Sequence, residues 1–411
     1  MKRNGVQRIP GGVIAAKGFR CAGVRCGIKT RAGVPDLGLI LSDRPAAAAA
    51  VFTTNRVQAA PVLFDRELLK HGPVRGVVVN AGNANACTGS KGLRDARRMS
   101  ELAAECVPLP RGSGGRFLVA STGIIGVPLP LAKVESGIRD AAARLGRTPA
   151  HADAIARAIM TTDLVPKAAA VEVRVGGKPV RIGGIAKGSG MLAPNMATML
   201  CFITTDCAIR APLLRRALRE TVGKTFNSIT VDGDCSTNDT VALLASAAAG
   251  NPPIERPGPG FRAFRDGLLA VAEELSQALV RDGEGASRFV EISVTGARSE
   301  PEAARVARSI ATSPLVKCAI NGGDPNWGRI ICAAGYSGAA VEPERMRLWI
   351  NGQMLFRSGM PAVVAREKLV ACMKPKEIAI RLDLGRGRRR ARVWTCDLSK
   401  EYVSINADYH T

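Results

Sequence analysis

The sequence predicts an α/β protein of the α+β kind, built in layers. Three observations carry that expectation. Segments with strand character come in hairpin-like groups with helices interposed, instead of a strict βαβ alternation. The chain has 411 residues, more than one minimal core needs and enough for two domains or lobes. It is 46% hydrophobic but only 4% aromatic, so Ala, Val, Leu and Gly must fill the interior, which suits closely packed layers. No internal repeat of about 20 to 50 residues is present.

Taken in order, residues 10–60 read as short strands and turns, with alternating segments at Leu37 to Leu41 and Ala50 to Thr53. Pro61 starts a short helix, Val62 to Lys70. The apolar strand Gly76 to Val79 runs into an Asn/Gly-rich loop, Asn80 to Gly89. Leu93, Ala96, Met99, Leu102, Ala103 and Cys106 then mark one face of a helix. The strand Phe117 to Ala120 delivers Ser121, Thr122 and Gly123. Helices follow at Pro130 to Leu145 and Ala152 to Met160, and Val171 to Ile182 alternates about Gly176-Gly177 as a hairpin does.

Past the middle, a strand is expected at Met199 to Thr205, a helix at Pro212 to Phe226, a strand at Ser228 to Val231 and a helix at Asp239 to Ala249. A long amphipathic helix, Phe261 to Arg281, leads through Asp282-Gly283-Glu284-Gly285 to a strand, Phe289 to Thr295, and a helix, Glu302 to Thr312. Asn351-Gly352, flanked by Arg347 to Ile350 and Gln353 to Phe356, is the strongest hairpin signal in the chain. Strands Glu377 to Leu384 and Ala391 to Cys396 precede a tail, Tyr402 to Thr411.

The formal net charge is +23. Nucleic-acid binding is one reading of such a balance, but the basic residues are spread along the chain, many on helical faces. The one dense run, Gly385 to Arg392, has no interleaved aromatics. Solvated basic surface is the simpler reading, an acidic metabolite as substrate also fits, and neither a nucleic-acid nor a membrane partner is expected. The eleven cysteines are scattered without a CxxC or zinc spacing, as expected of reduced thiols in a cytoplasmic protein. No signal peptide or membrane span is expected. No glycine set matches a Walker loop or a dinucleotide fingerprint.

The chain is organised around Lys187 to Leu200, KGSGMLAPNMATML. Glycines and a proline lead to Ala197 and Thr198, and a strand leaves them. Thr198 is a candidate nucleophile. A threonine hydroxyl needs a base, and one solution is its own α-amine, available once the chain is cut before it. That amine titrates near 8. The cut requires Thr198 Oγ to attack the Ala197 carbonyl, and a small residue at 197 leaves room. Taken alone, Thr198 reads more simply as the start of a strand, which threonine favours.

The same stretch resembles the self-cleavage segment of the ornithine acetyltransferases, the arginine-pathway glutamate N-acetyltransferases. The similarity runs in order through the chain: Gly18-Phe19-Arg20, Ala50 to Val57, Val79 to Gly89, Ala120 to Gly126, Met160 to Asp163, Ile229 to Asp234, Ser236 to Asp239, Asp282 to Gly285, Asp324 to Arg329 and Tyr402 to Tyr409 with Thr411. The basic run Gly385 to Arg392, and Asn321-Gly322-Gly323, depart from the family's usual form.

The resemblance implies a sandwich of two packed β-sheets flanked by helices. It implies cleavage at Ala197–Thr198 into an alpha chain, 1–197, and a beta chain, 198–411, associated as an α2β2 heterotetramer. Thr198 would be nucleophile and N-terminal base, with Thr122 and Gly123 as the oxyanion hole. Thr161, Lys187, Glu284, Asn406 and Thr411 match positions that bind substrate. A lysine suits the α-carboxylate of an acetylated amino acid, and a glutamate suits the side-chain ammonium of ornithine. The implied reaction moves acetyl from N2-acetylornithine to glutamate with no metal or bound cofactor. Acetyl-CoA as a second donor is left open. The alternatives are a self-processing amidohydrolase or aminopeptidase and, from another class, a nucleic-acid-binding protein.

Overall fold

The structure, a computed structural model, describes residues 5–107, 115–192 and 199–408. Nine strands build the larger sheet: β1 (Gln7–Arg8), β2 (Phe19–Val24), β3 (Leu37–Phe52), β4 (Val74–Asn83), β5 (Phe117–Ile124), β6 (Lys167–Val175), β7 (Lys178–Lys187), β8 (Leu200–Thr205) and β9 (Thr240–Ala245). Their order is β1-β6-β7-β8-β9-β3-β4-β5, with β2 on β3. The first part of β3 pairs with β2 and β4, and its second part with β9. Its register with β4 shifts between Leu41 and Ala46.

The sheet therefore doubles over on β3, and its two halves face each other. Ile40, Val77, Val79, Leu118 and Ala120 of one half pack with Ile185, Leu200, Phe202, Ala242 and Leu244 of the other. Helices α1 (Ala60–Leu68), α2 (Gly89–Cys106), α3 (Leu131–Ala143), α4 (Pro149–Ala158), α5 (Ala211–Lys224) and α6 (Pro259–Arg281) accompany these strands. α2 and α3 cover the outer face of the first half, where Leu39, Val78 and Val119 meet Met99, Leu102 and Ile138. α5 and α6 cover the other, where Ile182, Cys201, Ile203 and Leu243 meet Leu214, Leu218, Phe264 and Leu268. Two packed sheet layers with helices outside are the expected architecture.

The remaining elements form a six-stranded sheet: β10 (Phe289–Ala297), β11 (Arg347–Ile350), β12 (Gln353–Arg357), β13 (Met360–Pro361), β14 (Glu377–Asp383) and β15 (Arg389–Cys396), in the order β13-β12-β11-β14-β10-β15. Its core packs against α7 (Glu300–Thr312), α8 (Pro314–Asn321), α9 (Trp327–Gly335) and α10 (Arg366–Cys372), and α11 (Lys400–Asp408) closes the described chain. The β11–β12 turn is Asn351-Gly352, at φ 46 and 82, as a type I′ hairpin requires. The basic run supplies the exposed start of β15, an edge strand, where charge discourages pairing with another chain.

Three expectations are corrected. Residues 37–52 form one strand, not two, because the chain passes from one sheet layer to the other without a turn. Ser228 to Val231 is not a strand: Phe226–Ser228 is a 3-10 turn, and Ile229 makes only an isolated bridge to Trp394. Asp239 to Ala249 is not a helix. Thr240–Ala245 is a strand buried on both faces, with Val241 and Leu243 against the helices and Ala242 and Leu244 against the opposite sheet. A strand buried on both sides loses its alternation, and an Ala/Leu-rich run then reads as helix.

Candidate active site

The layers place strand ends from both halves of the large sheet side by side. Lys187 is the last residue of β7 and pairs with Leu200 at the start of β8. Thr122 and Gly123 lie at the end of β5, where Gly123 pairs with Gly82 of β4. Thr161 follows α4, Glu284 follows α6, and Asn406 lies in α11. Ala197, Thr198 and Thr411 lie outside the described residues.

Lys187 is the centre of the cluster. It is 2% exposed, and its Nζ donates to Thr161 Oγ1 at 2.6 Å and to Thr122 Oγ1 at 3.3 Å. A hydroxyl that accepts from an ammonium keeps its own proton to donate, so both threonines can still offer a hydrogen bond to an anionic oxygen. Burial pulls the Lys187 ammonium below its usual range, the Asp163 carboxylate opposes this, and Lys167 adds to it. Glu284 also lies within electrostatic reach of Lys187. The Glu284 carboxylate accepts from Asn406 Nδ2 at 3.0 Å, and the Glu284 backbone N–H donates to the Ser189 carbonyl at 2.8 Å. A Cβ built on Gly190 would meet Glu284 Oε2 at 2.3 Å, so glycine at 190 is what lets that carboxylate approach the chain. Five of the expected site residues thus fall into two touching groups: Thr122, Thr161 and Lys187, and Glu284 with Asn406. Gly123 follows Thr122 directly.

Beneath them lies a buried ionic base, Asp163, Lys167 and Asp282, outside the set of residues the sequence marks for the site. Lys167 Nζ contacts Asp163 Oδ1 at 2.6 Å and Asp282 Oδ2 at 2.5 Å, with all three side chains almost fully buried. Asp163 also accepts from the backbone N–H of Thr161 (3.0 Å) and Gly188 (2.7 Å), and sits 4.0 Å from Lys187. Burial pushes the Asp163 carboxyl up, but the ammonium groups of Lys187 and Lys167 outweigh it and hold it at about 2. A buried charge needs such company. Asp163 and Asp282 each lie within two residues of an expected site residue, which is the signal that could have found them.

Two further carboxyls hold the chain on either side of residues 193–198. Asp232 accepts from the N–H groups of Met191 (2.5 Å) and Leu192 (2.8 Å). Asp239 accepts from Met199 N–H at 2.9 Å and is wholly buried. Burial pushes Asp239 up to about 8, against Met199 N–H and the Lys187 charge. Asn238, between them, donates to the carbonyls of Ala84 (2.6 Å) and Ser121 (2.8 Å), tying the loop to the strand that carries Thr122. Among the described residues, no group of three or more His, Cys, Asp or Glu side chains is arranged to hold a metal ion, and no helix is long and apolar enough to cross a membrane.

Chemically, the arrangement offers a buried cation and two hydroxyls to an anionic group, and a separate carboxylate–amide pair to a cationic one. Residues 20–411 match a sequence model of the ArgJ family. The arginine biosynthesis bifunctional protein ArgJ of Symbiobacterium thermophilum is 48% identical over 404 residues, spanning 98% of this chain and 99% of its own. The protein of the same description from Geobacter sulfurreducens is 49% identical over 396 residues, spanning 96% and 99%. A solved chain of the ornithine acetyltransferase from Mycobacterium tuberculosis, complexed with ornithine, is 37% identical, covers 47% of this chain and 100% of its own, and superposes with a TM-score of 0.42. The chain belongs to the ArgJ family and is an acyltransferase of arginine biosynthesis.

Proposed function

We propose that this enzyme transfers the acetyl group of N2-acetylornithine to glutamate through an acetyl-Thr198 intermediate, after cutting itself at Ala197–Thr198. The observation that carries the reading is Lys187: buried, hydrogen-bonded to Thr122 and Thr161, and paired in register with Leu200, two residues along the chain from Thr198. A substrate α-carboxylate is the natural partner of such an ammonium. Glu284, with Asn406 beside it, is matched to the side-chain ammonium of the ornithine moiety.

In the cut, Thr198 Oγ bonds to the Ala197 carbonyl carbon, the Ala197–Thr198 C–N bond breaks, and the hydroxyl proton ends on the freed amine. Water then opens the ester, leaving a carboxylate on Ala197 and the Thr198 hydroxyl. In transfer, the Thr198 amine takes the Oγ proton as Oγ attacks the acetyl carbonyl. The developing oxyanion is received by the Thr122 hydroxyl and the Gly123 N–H. One such donor contributes about 3 kcal/mol in comparable sites. The amine passes the proton to departing ornithine, and the α-amine of glutamate then attacks the acetyl ester, returning a proton to Oγ.

The chemistry as proposed draws on no metal or bound cofactor. Residues 1–197 and 198–411 would stay associated as alpha and beta chains in an α2β2 heterotetramer in the cytoplasm. Acetyl-CoA as a second acetyl donor accords with the word bifunctional in the names of the relatives. The test is Thr198→Ala: it is expected to run on a denaturing gel as one uncut chain of 43.1 kDa and to transfer no acetyl. Cleavage of this variant at the same bond would sink the mechanism.

A further inference from the structure

Donor and acceptor in this reaction share an α-carboxylate but differ at the side chain. The donor carries an ammonium there and the acceptor a carboxylate. Glu284 suits the first and repels the second, so the acceptor needs a cation besides Lys187.

The loop between β2 and β3 brings one to the strand ends. Its base is drawn together by Asp36, whose carboxylate accepts four backbone N–H groups: Cys26 at 2.6 Å, Gly27 at 3.0 Å, Ile28 at 2.7 Å and Lys29 at 3.0 Å. The Asp36 carbonyl accepts from Ala81 N–H at 2.9 Å, fastening the loop to β4. Next along β4, Gly82 stands at φ 110, and a Cβ there would meet Ile28 Cγ2 at 2.8 Å and Lys29 Cγ at 3.3 Å. The Lys29 side chain therefore lies directly on Gly82. Gly82 in turn touches Gly123, where an added Cβ would stand 2.3 Å from the Gly82 carbonyl carbon. Gly82 thus touches both the stem of Lys29 and Gly123. Lys29 Nζ donates to the Pro35 carbonyl at 2.8 Å, which uses one of its three protons. Burial foremost, with the Lys187 charge adding, brings its ammonium down to about 8 against the pull of Asp36 and Asp163. The stem of Lys29 thus approaches the strand ends at Gly82, beside Gly123, while Glu284 approaches them at Gly190 and Ser189.

We propose that Lys29 receives the side-chain carboxylate of the acceptor and so sets the preference for a dicarboxylic amino acid. The assignment rests on the transfer reaction above. A desolvated ammonium–carboxylate contact carries enough energy to separate glutamate from glutamine by tenfold or more.

The experiment is a comparison of wild-type, Lys29→Gln and Lys29→Arg proteins, full length and self-processed, with N2-acetylornithine as donor and glutamate or glutamine as acceptor. Glutamine at 29 retains a donor for the Pro35 carbonyl but carries no charge, which separates ion pairing from support of the loop. The expected result is a KM for glutamate raised at least tenfold in Lys29→Gln, a KM for N2-acetylornithine raised less than threefold, and a collapsed preference for glutamate over glutamine. Lys29→Arg is expected to restore most of that preference. Equal rises in both KM values, an unchanged preference for glutamate, or a Lys29→Gln protein that merely melts earlier would overturn the assignment. A wild-type protein that releases no ornithine from N2-acetylornithine would instead overturn the transfer reaction itself.

Discussion

Replacing Asp239 by Asn is expected to make stability less dependent on pH, in a direction and amount that the structure sets. Asp239 is fully buried, accepts from Met199 N–H at 2.9 Å, and is pushed by burial from 3.8 to about 8. Between those two values the folded chain holds a proton that the unfolded chain has released. Stability therefore falls as pH rises through this window and levels off above about 8. Each pH unit inside it is worth about 1.4 kcal/mol, so the group costs the wild type on the order of 5 kcal/mol by the upper end. Asparagine cannot ionise, yet its carbonyl oxygen still accepts from Met199. Its advantage over aspartate should grow by up to about 1.4 kcal/mol per pH unit from pH 5 to pH 8 and then stop growing. Other titrating groups, such as Asp163 and Asp232, cancel in the difference. Urea unfolding of both proteins, each in the Thr198→Ala background so that the chain is single and uncut, measures it. The buried indole of Trp394 is a fluorescence reporter. A stability difference that stays flat across pH 5 to 9, or that shrinks as pH rises, would refute the argument.

Two further outcomes follow from the site. Lys187→Met should lower kcat/KM for acetyl transfer roughly 10- to 100-fold, the value of a hydrogen bond to a charged group, without unfolding the chain. Asp163 keeps Lys167 and two backbone donors, so a cooperative melt with a loss below threefold would remove Lys187 from substrate binding. Gly123→Ala should cost about 2–4 kcal/mol of stability in urea melts, since the residue stands at φ 132 and its Cβ would be driven into Gly82. A variant as stable as the parent would show that this strand pair is looser than its geometry implies.

Local patterns along the chain were enough for much of the fold. The hairpins at Gly176-Gly177 and Asn351-Gly352, the long helix ending at Arg281 and the strand delivering Thr122 follow from turn chemistry and hydrophobic period, and each forms as expected. Thr122, Gly123, Thr161, Lys187, Glu284 and Asn406 were legible because the resemblance named them, and the described ones gather at neighbouring strand and helix ends. The helices Pro314–Asn321 and Trp327–Gly335 went unread, although each opens on a capping side chain, Ser313 to Val316 N–H and Asn326 to Arg329 N–H.

What sequence alone determined was the class of layers and the punctuation between elements, while the residues for acyl-transfer chemistry came from the family resemblance. Layers and punctuation depend on neighbours within a few positions, where turn preference and side-chain period act. Tertiary structure alone decided that Thr240–Ala245 is a strand, because both of its faces are buried and no alternation survives to mark it. It alone decided that one strand, Leu37–Phe52, carries the chain between two sheet layers. It also decided which charges meet. Lys167 joins Asp163 to Asp282 across 115 positions of chain, and Lys29 comes to rest on Gly82 beside Gly123. Burial in one low-dielectric place couples such groups, and no local signal records that.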